Sequence, residues 1–85
     1  MKVDTVMGTP AALARPLLVV KVYWENPTTL AHTFVITDAG GTKVLLEGRA
    51  EVANQSQVFD FPGTVTWKDF RVTTLGSGTL WIYTK

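Results

Sequence analysis

The 85-residue sequence has no cysteine and one histidine, His32. Without cysteine there are no disulfides and no thiolate metal sites, so stability must come from packing or from association with other chains. A lone histidine leaves a histidine-dependent triad or metal site short of recognisable partners, and His32 reads as a strand-end residue near a loop. Charge of one sign is also scarce. Eight Lys and Arg stand against seven Asp and Glu, a net charge of +1. No basic run tracks a phosphate backbone, and no nucleic-acid partner is expected. The longest apolar run, residues 17–24, is broken by Lys21 and is far shorter than the ~20 residues that cross a bilayer. No membrane partner is expected. Asp4, Gly8 and Pro10 interrupt the apolar stretch a secretory signal would need. A helical apolar period over ten or more residues is missing too.

What is present is strand-forming. Thirteen threonines, eleven valines and nine aromatics are residues that fit a pleated, half-buried surface, so the domain should be nearly all β. A chain of this length hides only roughly 60 to 65% of its unfolded surface, which allows one small core.

Residues 1–16 mix a β-like piece, 2–7, with Gly8, Pro10 and Pro16, and read as an extended N-terminal arm. It is either a first edge strand with a loop or a segment lying on a neighbouring subunit. Its apolar residues Val3, Val6 and Leu13 are candidates for partner contact. Residues 17–85 should form one sandwich domain. The 17–25 stretch places Leu18, Val20, Val22 and Trp24 on one face and Leu17, Val19, Lys21 and Tyr23 on the other. Strands over 32–38 and 42–50 follow, joined by an Ala39-Gly40-Gly41 turn, with Phe34, Ile36, Val44 and Leu46 inward. In 57–61, Phe59 and Phe61 oppose Val58 and Asp60, and Pro62-Gly63 signals a third turn. The clearest stretch is 67–85. Phe70, Val72 and Thr74 alternate with Arg71 and Thr73, and Leu80 and Ile82 alternate with Trp81 and Tyr83. The two runs read as a β-hairpin across Gly76-Ser77-Gly78. About seven short strands with these turn spacings predict a single antiparallel β-sandwich of jelly-roll or immunoglobulin-like character.

No catalytic or metal-binding constellation emerges. Asp38, Asp60 and Asp69 fall near strand ends, where a sandwich could gather them around calcium, but turn-capping is the commoner use of such positions. Glu25 and Glu47 would make a glycosidase-like pair only by coincidence of fold. The chain is therefore expected to be no enzyme and to need no metal or cofactor. Its informative residues are aromatic. With Leu80 and Ile82 inward, Trp81 and Tyr83 face outward as an apolar patch, with Tyr23 a further candidate. Three uses are open: a protein interface, burial under the N-terminal arm, and carbohydrate stacking. Asn54-Gln55-Ser56 matches the N-glycosylation tripeptide, which is common by chance.

The phrases Val22-Tyr23-Trp24-Glu25-Asn26-Pro27, Phe34-Val35-Ile36-Thr37-Asp38, Asn54-Gln55-Ser56-Gln57-Val58-Phe59-Asp60-Phe61 and Gly78-Thr79-Leu80-Trp81-Ile82-Tyr83 together resemble small structural proteins of tailed bacteriophages. The resemblance covers roughly residues 17–85 and implies a virion protein. The expected role is capsid decoration or cement on the outer shell, with the major capsid protein or other virion proteins as partners and with homo-oligomers. The alternative is a carbohydrate-binding or host-adhesion module of a tail or fibre.

Overall fold

The computed structural model describes residues 1–6 and 16–85. Among them are seven strands and no helix: β1 (Lys2–Val3), β2 (Leu17–Glu25), β3 (Thr33–Thr37), β4 (Val44–Arg49), β5 (Gln57–Trp67), β6 (Arg71–Leu75) and β7 (Thr79–Thr84). They form two antiparallel sheets, one in the order β1-β7-β2-β5 and the other β4-β3-β6. The all-β sandwich expected from composition and alternation is what the chain adopts.

The pairing is nested about the turn between β3 and β4. There Asp38 accepts hydrogen bonds from the Thr42 and Lys43 amides. Outward from that turn, β3 pairs with β4, β2 with β5, and β1 with β7. A ribbon folded back on itself and wound over two sheets is the jelly-roll way of closing a sandwich. The immunoglobulin order differs. It sets the first strand beside the second and pairs the last two strands in one sheet, whereas here β1 neighbours β7, and β6 and β7 lie in different sheets.

That topology corrects the 67–85 hairpin. β6 pairs with β3 and β7 pairs with β2, so residues 76–78 carry the chain from one sheet to the other. Alternation on both arms and a glycine-rich turn are common to a hairpin and to such a crossing, and the pattern does not separate them. Gly78 serves the crossing: its φ is +78°, and a Cβ there would lie 2.5 Å from the Glu25 carbonyl oxygen. The Pro62-Gly63 turn is likewise corrected. β5 runs on through it, because residues 61–64 bulge out opposite Val20 between the Lys21–Asp60 and Val19–Val65 pairs. Gly63 and Thr64 take φ of 79° and 73° to make that bulge.

The core is Val3, Val19, Val22, Trp24, Phe34, Ile36, Ala50, Trp67, Phe70, Val72, Leu80 and Ile82. Its centre is a chain of edge-on rings linking the layers. Trp24 of β2 meets Phe34 of β3 at 4.9 Å, and Phe34 meets Phe59 of β5 at 5.4 Å. Bulges reassign several residues that simple alternation placed elsewhere. The shift between Val19 and Lys21 leaves Val19 buried with Val22 and Trp24, and turns Leu18 and Val20 outward. A second, between Ile36 and Thr37, exposes Val44 and brings Leu45 against the core. A third, between Val35 and Ile36, does the same for Thr74 and Leu75 on β6. One extra residue flips every later side chain, which is why period alone cannot follow a strand through a bulge.

Candidate functional site

The four-stranded sheet buries its inner face and leaves an outer one. Along β7, Leu80 and Ile82 are buried while Trp81 is half-buried and Tyr83 is 43% exposed. Cross-strand pairs then assemble the outer surface from four strands. Lys2 sits opposite Trp81, Trp81 opposite Tyr23, and Tyr23 opposite Val58, in one row across the sheet. One step along, Tyr83, Lys21 and Asp60 form the next row. Val58 is 53% exposed, and Leu18 and Val20 extend the apolar surface along β2. Tyr23, Trp81 and Tyr83, singled out by alternation, are thus brought onto one face.

The rings are held by polar neighbours. Trp81 Nε1–H donates to Glu25 Oε1 at 3.4 Å. The Lys2 ammonium lies 5.7 Å from the Trp81 ring centre and that of Lys21 lies 4.7 Å from the Tyr83 ring centre. Both are within cation–π range. These partners come from cross-strand register, and no spacing within a single strand announces them.

The arm residues separate. Val3 is 3% exposed and belongs to the chain's own core, packed there because β1 adds to β7 and the Ile82 amide donates to the Met1 carbonyl at 2.8 Å. It offers nothing to a partner, and of the β-like stretch 2–7 the strand takes Lys2–Val3, residues 4–6 lie beyond it, and residue 7 is outside the described residues. Val6 is exposed. Leu13 lies outside the described residues.

The carboxylates do not converge. Asp38 Oδ1 accepts from the Thr42 and Lys43 amides at 2.9 and 3.3 Å and Asp38 Oδ2 from the Thr42 hydroxyl at 3.1 Å. Those donors, the Lys43 amide first and the Thr42 amide next, hold its carboxyl below the usual carboxylate range. Asp69 Oδ1 accepts from the Ala39 amide at 3.1 Å, so both side chains tie the β3–β4 turn and its surroundings. Asp60 sits apart on the outer face of β5, paired across from Lys21. Among the described residues no three His, Asp or Glu side chains group for a metal ion.

One contact was not foreseeable from spacing. His32 Nδ1 lies 2.9 Å from Ser77 Oγ, which also accepts the Thr28 amide at 2.9 Å, and the Ser77 carbonyl accepts the Trp24 indole N–H at 2.9 Å. Residues 45 apart meet because the 76–78 crossing passes the loop after β2. The group staples that crossing to the 26–32 loop, with Gly76 leaving room for the imidazole: a Cβ there would sit 2.9 Å from His32 Cβ.

Comparison with family models, curated proteins and solved structures returns no match. The functional reading therefore rests on the residues and the face they build.

Proposed function

We propose that the chain is a non-enzymatic structural component of a tailed-phage virion, a decoration or cement protein of the outer capsid shell that uses the exposed face of its four-stranded sheet for protein contact. The observation that carries the reading is the row Lys2, Trp81, Tyr23, Val58. Clustered aromatic and aliphatic side chains rimmed by charge are the composition of a protein interface, in which large aromatics supply most of the affinity. Jelly-roll architecture is consistent with this, being frequent in capsid proteins, although fold alone assigns no role.

Jelly rolls also serve as lectins, and aromatic rows stack on sugars, so a glycan-binding module is the second reading. Ring access weighs against it. A pyranose stacks on an open ring face, and here lysine ammoniums already lie over Trp81 and Tyr83 at 5.7 and 4.7 Å. A sugar would have to displace them, whereas a protein surface can pack around them.

The test is co-sedimentation of the full chain with capsids of the encoding phage. Saturation at a copy number fixed by shell symmetry is expected, and Trp81→Ala should weaken attachment by about 2 kcal/mol, roughly thirtyfold. Absence of capsid binding together with specific retention on immobilised glycans would replace this reading with the second.

A further inference from the structure

The outer face of the four-stranded sheet is antisymmetric in charge. The opposite charges sit on its two edges, Lys2 on the β1 edge and Asp60 on the β5 edge, while the aromatics, with Lys21 and Glu25, occupy the two strands between. From this arrangement we infer that the face binds a second copy of this chain, forming a two-fold dimer in which the sheets stack outer face to outer face. The inference rests on the reading of this face as a protein-docking surface, and it names the partner.

Two-fold symmetry allows two ways of stacking. With the axis running across the strands, each edge lies over its own copy. Lys2 then approaches Lys2 and Asp60 approaches Asp60, placing like charges together on both sides. With the axis along the strands, between β7 and β2, the β1 edge of one copy covers the β5 edge of the other. Trp81 then lies over the partner's Tyr23, and Tyr23 over the partner's Trp81, so the aromatic centre is satisfied twice. Tyr83 likewise faces the partner's Lys21, repeating between copies the cation–π pair that each copy makes within itself at 4.7 Å. Lys2 lies over the partner's Val58, with the partner's Asp60 one same-face residue further along, about 7 Å away. A lysine side chain spans that distance. An isologous interface requires such self-complementarity, in which residue i meets j and j meets i.

The local partners of Lys2 do not hold it elsewhere. Its contact with Asp4 is long, 4.0 Å, between side chains 54% and 65% exposed. Exposed pairs of this kind contribute little and exchange readily for a better-placed carboxylate.

Sedimentation equilibrium on the full chain from about 1 μM to about 1 mM covers the range in which a small face-to-face dimer dissociates. The wild-type mass should rise from that of one chain to that of two. Lys2→Glu and Asp60→Lys should each raise Kd about tenfold, and the Lys2→Glu/Asp60→Lys double variant should return to within about threefold of wild type, because the swapped charges meet again across the two-fold. Both positions are exposed, so melting curves should confirm that all three variants fold. A wild type that stays monomeric throughout, or a double variant no tighter than the weaker single, overturns the inference. A dimer that obeys this cycle yet does not attach to capsids would leave the inference standing and remove the virion reading.

Discussion

Gly48→Ala should destabilise the domain even though alanine suits a strand better than glycine. Gly48 lies on β4 directly opposite Phe34. A Cβ at this position would run into Phe34 Cε1 and would sit 2.9 Å from Phe59 Cζ. Neither ring has an easy retreat. Phe34 is fully buried with Trp24 edge-on at 4.9 Å, and Phe59 abuts Phe34 at 5.4 Å. Overpacking of this kind costs about 1–3 kcal/mol, while replacing a strand glycine returns about 0.5–1 kcal/mol of backbone entropy. The net is a loss of about 1–2 kcal/mol. At ~4–8 °C per kcal/mol for a domain of this size, the melting temperature should fall by about 4–16 °C. Circular dichroism melts and urea titrations at equal protein concentration measure it, the second with an unchanged m-value. A Gly48→Ala/Phe59→Leu double variant should lose less than the two single losses added together, since the smaller side chain relieves the same clash. A Gly48→Ala protein as stable as wild type, or more so, would refute the claim that the Phe34 and Phe59 rings close around this glycine.

Other outcomes follow from the same geometry. Ile82→Ala, at a core position only 1% exposed, should cost about 2–5 kcal/mol in urea denaturation, whereas Trp81→Ala on the opposite face should act mainly on association. Thr64 is β-branched with φ 73°, so Thr64→Gly should raise stability by about 1 kcal/mol; a lower melting temperature would show that its side chain contributes more than its backbone costs. Asp38 has its carboxyl held below the ordinary range by the Lys43 and Thr42 amides. A depressed folded-state value contributes stability above the ordinary carboxylate pKa of ~3.9 and loses it as pH falls through the folded value. Wild type should therefore lose stability on acidification below about pH 4, and Asp38→Asn should flatten that part of the curve; identical acid profiles would contradict the role given to these hydrogen bonds.

Composition and two-residue alternation by themselves determined that this is an all-β sandwich, that the β3–β4 turn is a hairpin, and that Leu80 and Ile82 lie inside with Trp81 and Tyr83 outside. These are local properties: strand period, glycine at a reversal, and apolar volume on one side. Other features depended on which strands meet. The 76–78 turn looks the same in sequence whether it closes a hairpin or crosses between sheets, and only the pairing of β6 with β3 and of β7 with β2 decided it. The outward turn of Leu18 and Val20 depended on the bulge after Val19, which answers to the partner strand β5 rather than to β2 itself. The burial of Val3 depended on β7 offering an edge. For the same reason the candidate face was only partly legible. Trp81 and Tyr83 could be placed by period within one strand, but their neighbours Lys2, Lys21, Tyr23 and Val58 arrive from three other strands. A face of a sheet is built perpendicular to the chain, along hydrogen bonds whose register no single strand encodes.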